Sequence, residues 1–428
     1  MDSTCPPPPD PAPRHRVLIV DDSKTFVALL TRRIQNELDI DCDVARDYAT
    51  GVALAATGGA SYLAALLDLN LPDAPNGEIV DAVLAQGVAP LIFTAEINDD
   101  MRDLFWSKRI IDYVLKQNIA SVDYIIDSLR RLRDNPKLKV LVVDDSSMVR
   151  NHLSALLAAH RYQPHCARNA GEAMDALAAD PDIKIVIIDY NMPDMDGAQL
   201  TKIIRSTHSK KDLAIIGISG HGGASMSVRF LKNGANDYIT KPFLTEEFYC
   251  RVSQNVDILN QFQTINDLVN KDFLTKLHNR KYLTETGEKF YANLKRNNIG
   301  MVAALIDIDD FKRINDAHGH DVGDAVLRHT AALIRNRFRE SDIVARYGGE
   351  EFCVVNINMD KTKAYDVYNE LRLAIVQEPY IHNCLPVPLS VSIGVCTSHE
   401  DSFGQMVAVA DHLMYDAKHT GKNHILVR

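Results

Sequence analysis

The chain has no CxxC pair, and its seven cysteines, Cys5, Cys42, Cys166, Cys250, Cys353, Cys384 and Cys396, are scattered and odd in number. That pattern fits no disulfide framework and predicts reduced thiols in a cytoplasmic protein. No apolar run approaches the roughly 20 residues of a membrane span, since runs such as Ile185–Ile188 are short. The start, Met1-Asp2 followed by Pro6–Pro9, lacks the basic region and apolar core of a secretory signal. Residues 1–15 read as a disordered, proline-rich tail. The one tryptophan, Trp106, reads with Phe105 as core or interface. Positive charge is also short: a net charge of −10 argues against a general nucleic-acid binder, though not against a nucleotide pocket with a few lysines on one wall.

What the sequence does have is an internal repeat. Arg16-Val-Leu-Ile-Val-Asp-Asp-Ser23 returns as Lys139-Val-Leu-Val-Val-Asp-Asp-Ser146. Leu67-Asp-Leu-Asn-Leu-Pro-Asp73 returns as Ile188-Asp-Tyr-Asn-Met-Pro-Asp194, and Asp112-Tyr-Val-Leu-Lys116 as Asp237-Tyr-Ile-Thr-Lys241. From Asp21 to Asp144, Asp68 to Asp189 and Lys116 to Lys241 the offsets are 123, 121 and 125 residues, too long for a solenoid unit. In each copy, short apolar runs alternate with helical patterns, which predicts βαβ units on a parallel sheet. The strand runs are Val17–Val20, Leu66–Leu67 and Leu91–Phe93, then Val140–Val143, Ile185–Ile188 and Ile215–Ile218. An amphipathic helix is expected from Thr245 to Val269.

Ligands of such sheets sit beyond the carboxyl ends of the strands. Asp21, Asp22 and Asp68 stand there in the first copy, and Asp144, Asp145 and Asp189 in the second. Three clustered carboxylates repel one another and call for a hard cation such as Mg²⁺. Thr94 with Lys116, and Ser219 with Lys241, add a hydroxyl and a positive charge, a set suited to an aspartyl phosphate. Both copies resemble response-regulator receiver domains. The resemblance implies Asp68 and Asp189 as phosphoacceptors, Asp21, Asp22, Asp144 and Asp145 as ligands of one Mg²⁺ per receiver, and the Thr/Ser–Lys pairs as phosphoryl sensors. Tyr113 and Tyr238 match the family's switch aromatic. Lys241 precedes Pro242, as is usual in that family, whereas Lys116 precedes Gln117.

From Asp272 onward the pattern changes. The apolar run Met301–Ile306 ends in Asp307-Ile-Asp-Asp-Phe-Lys312, where Asp307 and Asp309 share a face and Ile308 points away. Farther on, Arg346-Tyr-Gly-Gly-Glu-Glu-Phe352 reads as a hairpin whose glycines leave room for a ligand. If that hairpin lies beside the strand ending at Asp307, Glu350 and Glu351 join it in a site for two Mg²⁺ on a triphosphate. Lys312, Lys418 and Lys422 are placed to neutralise phosphate, the last two on one face if their helix continues through Thr420.

Residues 272–428 resemble a GGDEF diguanylate cyclase domain in its GGEEF form, and the resemblance implies the remaining roles. Asp307, the Ile308 carbonyl and Glu350 bind Mg²⁺ (or Mn²⁺), with Glu351 in support. Glu350 helps deprotonate the attacking 3′-hydroxyl, and Lys312 stabilises transition-state charge. Asn315 and Asp324 read guanine, His320 lines the pocket, and Lys418 and Lys422 hold phosphates. An acid accepting from guanine N1–H and N2–H₂ disfavours adenine, which presents no such donors. Arg339-Glu-Ser-Asp342 matches the family's RxxD inhibitory site, with Arg339 and Asp342 as its ligands.

The expected fold is α/β and multidomain. Two doubly wound, flavodoxin-like parallel-sheet domains at 16–134 and 137–260 precede a helical linker at 261–271. An α+β nucleotidyl-cyclase-like domain with a mostly antiparallel sheet follows at 272–428. The expected activity is condensation of two GTP into cyclic di-GMP and two pyrophosphates by a homodimer, whose two-fold axis matches the product's. Partners are GTP, cyclic di-GMP and a sensor histidine kinase or phosphotransfer protein, with no nucleic acid and no membrane. The alternatives are a catalytically silent cyclic di-GMP sensor and a phosphorelay scaffold.

Overall fold

The computed structural model describes residues 15–95, 104–105, 108, 110–116, 119–220, 224–297, 300–398 and 400–428. Residues 1–14 of the expected tail, Trp106 and Gln117 lie outside the described residues. The chain divides into two compact units, one ending at Gln261 and the other running Phe262–Arg428.

The first unit holds both repeats, built the same way. In the first repeat, β1 (Arg16–Val20), α1 (Lys24–Leu38), β2 (Asp41–Ala45), α2 (Tyr48–Gly58) and β3 (Tyr62–Leu67) are followed by α3 (Glu78–Ala85), β4 (Pro90–Thr94), β5 (Asp112–Leu115) and α4 (Ile119–Asp134). All pairings in its sheet are parallel, in the order β2-β1-β3-β4-β5. The second repeat runs β6 (Lys139–Val143), α5 (Ser147–Ala159), β7 (Gln163–Ala167), α6 (Ala170–Ala179) and β8 (Ile183–Asp189), then α7 (Gly197–Arg205), β9 (Ala214–Ser219), α8 (Ala224–Lys232), β10 (Asp237–Thr240) and α9 (Thr245–Asn270). Its parallel sheet has the matching order β7-β6-β8-β9-β10.

Helices cover both faces of each sheet, so the central strands are apolar on every residue, as in Tyr62–Leu67. Polar caps start several helices. Asp47 accepts from the Thr50 amide at 2.7 Å, Asn169 from Glu172 at 2.9 Å and Asp196 from Gln199 at 2.8 Å. Helix α9 continues past the second repeat, and the boundary between the two units falls within it.

The second unit has a mixed six-stranded sheet. Its elements are β11 (His278–Asn279), α10 (Arg280–Asn297), β12 (Met301–Ile308), α11 (Phe311–His318), α12 (His320–Arg337), β13 (Ile343–Gly348) and β14 (Glu351–Ile357). After these come α13 (Ala364–Gln377), the hairpin β15 (Tyr380–His382) and β16 (Leu385–Val387), β17 (Val391–Cys396), α14 (Phe403–His419) and β18 (Ile425–Val427). The strand order is β11-β13-β14-β12-β17-β18, with the four central strands antiparallel and the two outer pairings parallel. Gly394 lets α14 lie directly on β17: a Cβ there would sit 2.0 Å from the Ala410 carbonyl oxygen. The fold class is therefore the expected one, flavodoxin-like parallel-sheet domains followed by a mixed-sheet α/β domain.

Candidate active site and acidic pockets

In the first repeat, β1 and β3 end side by side and deliver Asp21 and Asp68 to one point, both buried. Lys116, just past β5, reaches Asp21 Oδ2 at 2.6 Å and Asp68 Oδ2 at 2.5 Å. Asp21, Asp22 and Asp68 each bring a carboxylate oxygen within 4.8 Å of the others, a set of hard oxygen donors that fits a divalent cation. Burial raises the Asp21 carboxyl while the Lys116 ammonium opposes the rise. Thr94 ends β4, buried beside the pair, and its carbonyl accepts from the Lys116 amide at 2.8 Å.

The second repeat is built alike but is not identical. Lys241 lies 2.7 Å from Asp189 and 3.1 Å from Asp144, and Ser219 is buried at the end of β9. Asp145 is exposed, as Asp22 is, but does not join Asp144 and Asp189 in a comparably close trio. Among the described residues, the first repeat's three acids form the only group that close. The switch aromatics differ too. Tyr113 donates to Glu246 Oε1 at 3.4 Å, whereas the Tyr238 hydroxyl is buried and has no hydrogen-bond partner among the described residues.

In the second unit, β14 pairs with β12 so that Glu351 stands directly opposite Asp307. The glycine pair makes the tight turn between β13 and β14, with Gly349 at φ +37°, a region that disfavours side chains. The Ile308 amide donates to the Glu350 carbonyl at 3.3 Å, tying the turn to the end of β12. Asp307 is only 2% exposed, and Lys418 Nζ lies 2.7 Å from its Oδ2. Burial pushes the Asp307 carboxyl up to about 6; Lys418 opposes the shift, and Glu350 and Glu351 add to it. Burial also raises Glu351, with the Asp411 carboxylate adding to the effect. One buried and two half-buried acids that repel one another beside a lysine form a donor set that fits divalent cations.

Lys418 and Lys422 lie on either side of the end of α14. Helix α14 stops at His419, and Gly421 (φ +128°) and Lys422 (φ +59°) turn the chain, so the two lysines do not share a helix face. Both still converge on the end of β12, because Lys422 Nζ reaches Asp310 at 2.6 Å. Asp309 accepts from the Ser390 and Ser392 hydroxyls, each at 2.7 Å, and from the Asn423 amide at 2.9 Å. Three of its acceptor sites thus go to holding strand ends together.

Asn315 on α11 and Asp324 on α12 belong to two helices that meet at Gly319. Gly323 makes room for the Asn315 amide: a Cβ there would fall 1.9 Å from Asn315 Oδ1. Lys312 and His320 are exposed at the first turns of α11 and α12. Arg339 is exposed on a turn, while Asp342 is buried beneath it. Asp342 accepts from the Arg339 amide at 3.2 Å and from the Ile357 amide at 3.3 Å.

Sequence reasoning missed Arg346. Its Nε and Nη2 donate to the Gly349 carbonyl at 3.0 and 2.7 Å, and Nη1 lies 3.1 Å from Asp272 Oδ1. The segment after α9 is thus clamped to the glycine turn. A paired Asp and Arg that are 74 residues apart leave no local pattern to read.

Residues 269–424 match the family described as diguanylate cyclase, GGDEF domain, and residues 140–253 match the response regulator receiver domain. The response regulator PleD of Caulobacter vibrioides is 28% identical over 96% of this chain and 98% of its own. Diguanylate cyclase DosC of Escherichia coli K12 is 32% identical over 41% of this chain and 39% of its own. A crystal structure of a two-component system response regulator/GGDEF domain protein is 38% identical with a TM-score of 0.53, covering 58% of this chain and all of its own. The chain belongs to the GGDEF response regulators and is a diguanylate cyclase, with a receiver domain at residues 140–253 ahead of a GGDEF domain at 269–424.

Proposed function

We propose that the chain condenses two GTP into cyclic di-GMP and two pyrophosphates as a homodimer, that phosphorylation at Asp68 or Asp189 sets its rate, and that its product inhibits it through Arg339. The observation that carries this reading is the pairing of Asp307 with Glu351 across β12 and β14, with Lys418 on Asp307.

Asp307, the Ile308 carbonyl and Glu350 would hold Mg²⁺, which when bound supplies charge neutralisation of the triphosphate and acidifies the attacking hydroxyl. Glu350 accepts the 3′-hydroxyl proton. Glu351 keeps the site negative, and Lys312, Lys418 and Lys422 bind phosphate oxygens once substrate competes for them. Asn315 and Asp324 take the guanine edge, with His320 beside them. One such domain provides one half-site, so two copies related by a two-fold axis place each hydroxyl against the other α-phosphate. The acid–hydroxyl–lysine set of the first repeat supports reading it as a second receiver. In that reading the domains are 16–134, 137–260 and 272–428, joined by a helical segment at 261–271.

The test is to assay the full chain with GTP and Mg²⁺, with and without acetyl phosphate. Acetyl phosphate should raise the rate, and changing both Asp68 and Asp189 to Asn should remove the rise; a rise that persists overturns the switch. Arg339 presents an exposed guanidinium from a turn that Asp342 pins. Arg339→Ala should therefore weaken product inhibition at least about tenfold with initial rates unchanged, as expected for loss of a charge-assisted bidentate contact. An unchanged inhibition constant would reject that site.

A further inference from the structure

Between the two repeats, inside the first unit, lies a cavity of about 600 Å³. Strand β5 and helix α4 form one wall; the start of α9 with His160 and Tyr162 forms the other. The volume is that of a small-molecule site. Two carboxylates, Asp112 and Glu246, line it. Burial raises the Asp112 carboxyl to about 6; bonds from the Tyr124 hydroxyl and the Tyr113 amide and the more distant Arg131 charge oppose the rise, and the Glu246 charge adds to it.

The second repeat supplies an internal comparison. Asp237 stands 125 residues after Asp112, at the same place on β10. It is faced by Arg251 Nη1 at 3.3 Å and Asn255 Nδ2 at 3.5 Å. At that offset Arg251 corresponds to Ile126, and Asn255 to Arg130, whose guanidinium turns to Asp127 and Glu37 instead. Among the described residues, no lysine or arginine lies within ion-pair distance of Asp112 or Glu246. Arg131, the cation on the cavity wall, is paired with Asp257 at 2.9 Å.

A third group points the same way. His160 lines the cavity with its ring stacked on Tyr249, centroids 3.5 Å apart, and its Nε2 is buried with no hydrogen-bond partner among the described residues. Burial pushes this imidazole down to about 3, with the Ile111 carbonyl partly opposing, so it is neutral at pH 7 and can accept a hydrogen bond. The cavity thus presents acceptors and negative charge, beside the aromatic rings of Tyr124 and Tyr249.

We propose that this cavity binds a small organic cation with several N–H donors, an amine or guanidinium compound, anchored by Asp112 and Glu246. The ligand would replace the arginine that Asp237 has and Asp112 lacks. Strand β5 also leads into Lys116, which holds Asp21 and Asp68, so occupancy would bear on the first repeat's acidic pocket. The proposal does not depend on the cyclase reading.

The experiment titrates the full chain calorimetrically with agmatine, putrescine and spermidine, at matched ionic strength. At least one should bind with Kd below about 1 mM, and Asp112→Asn and Glu246→Gln should each weaken it at least about tenfold. Absence of binding by all three, or equal binding by both variants, overturns the proposal. The ligand-free melting temperature gives a second reading. Asp112→Asn removes a buried charge awaiting its partner and should melt higher than the parent chain. A lower melting temperature would show that Asp112 is a structural anchor for Tyr124 and would overturn the assignment.

Discussion

Glu350→Gln is expected to lower kcat for cyclic di-GMP at least about 1000-fold while leaving the fold intact, because loss of a general base alone typically costs about 100- to 10,000-fold and a metal ligand goes with it. The substitution preserves length and sits in the turn after Gly349, where the contact tying the turn to β12 is made by the backbone carbonyl rather than the side chain. Circular dichroism and melting temperature should therefore match the parent chain. Mg²⁺-dependent GTP turnover in the variant within about tenfold of the parent would remove Glu350 from the chemistry.

Gly323→Ala should act on GTP recognition rather than on the chemical step. The new Cβ would lie 1.9 Å from Asn315 Oδ1 and 2.9 Å from its Cγ, so the Asn315 amide must leave its place. Losing one or two hydrogen bonds to a base, at about 1–1.5 kcal/mol each, raises KM for GTP roughly 5- to 150-fold. Alanine is the better helix former, so α12 itself should not suffer. The double variant Asn315→Ala/Gly323→Ala separates the explanations. If the glycine acts only by housing Asn315, the second change adds little to the first. Additive KM increases, or no increase from Gly323→Ala alone, would contradict that role.

Parts of this architecture were legible because they are local. Val17–Val20 and Val140–Val143 are four-residue apolar runs buried on both faces, and each proved to be a central parallel strand. Helix α9 was read to within one residue of its end, from an apolar spacing that needs no distant partner. Edge strands were not legible. β2 and β7, with sequences DCDVA and QPHCA, each pair with only one neighbour and stay largely in contact with solvent, so they carry polar residues and no clear alternation. In the site, the Gly-Gly turn and the acids flanking it could be read directly, since the turn chemistry lies within four residues.

What joins distant segments could not be read. Arg346 finds Asp272, Lys422 finds Asp310 and Asp309 finds Ser390 and Ser392 only once the strands are in register. That Asp22 comes close to its two neighbouring acids and Asp145 does not is likewise concealed by two matching Asp-Asp-Ser motifs.

The most direct test of the central claim is to incubate the purified full chain with GTP and Mg²⁺ and to follow the nucleotide by chromatography and the pyrophosphate by a coupled assay. The account predicts one cyclic di-GMP and two pyrophosphates for every two GTP consumed, in a reaction that needs Mg²⁺ and Glu350. GTP left unchanged with and without acetyl phosphate, or hydrolysed to GDP without cyclic di-GMP, would contradict it.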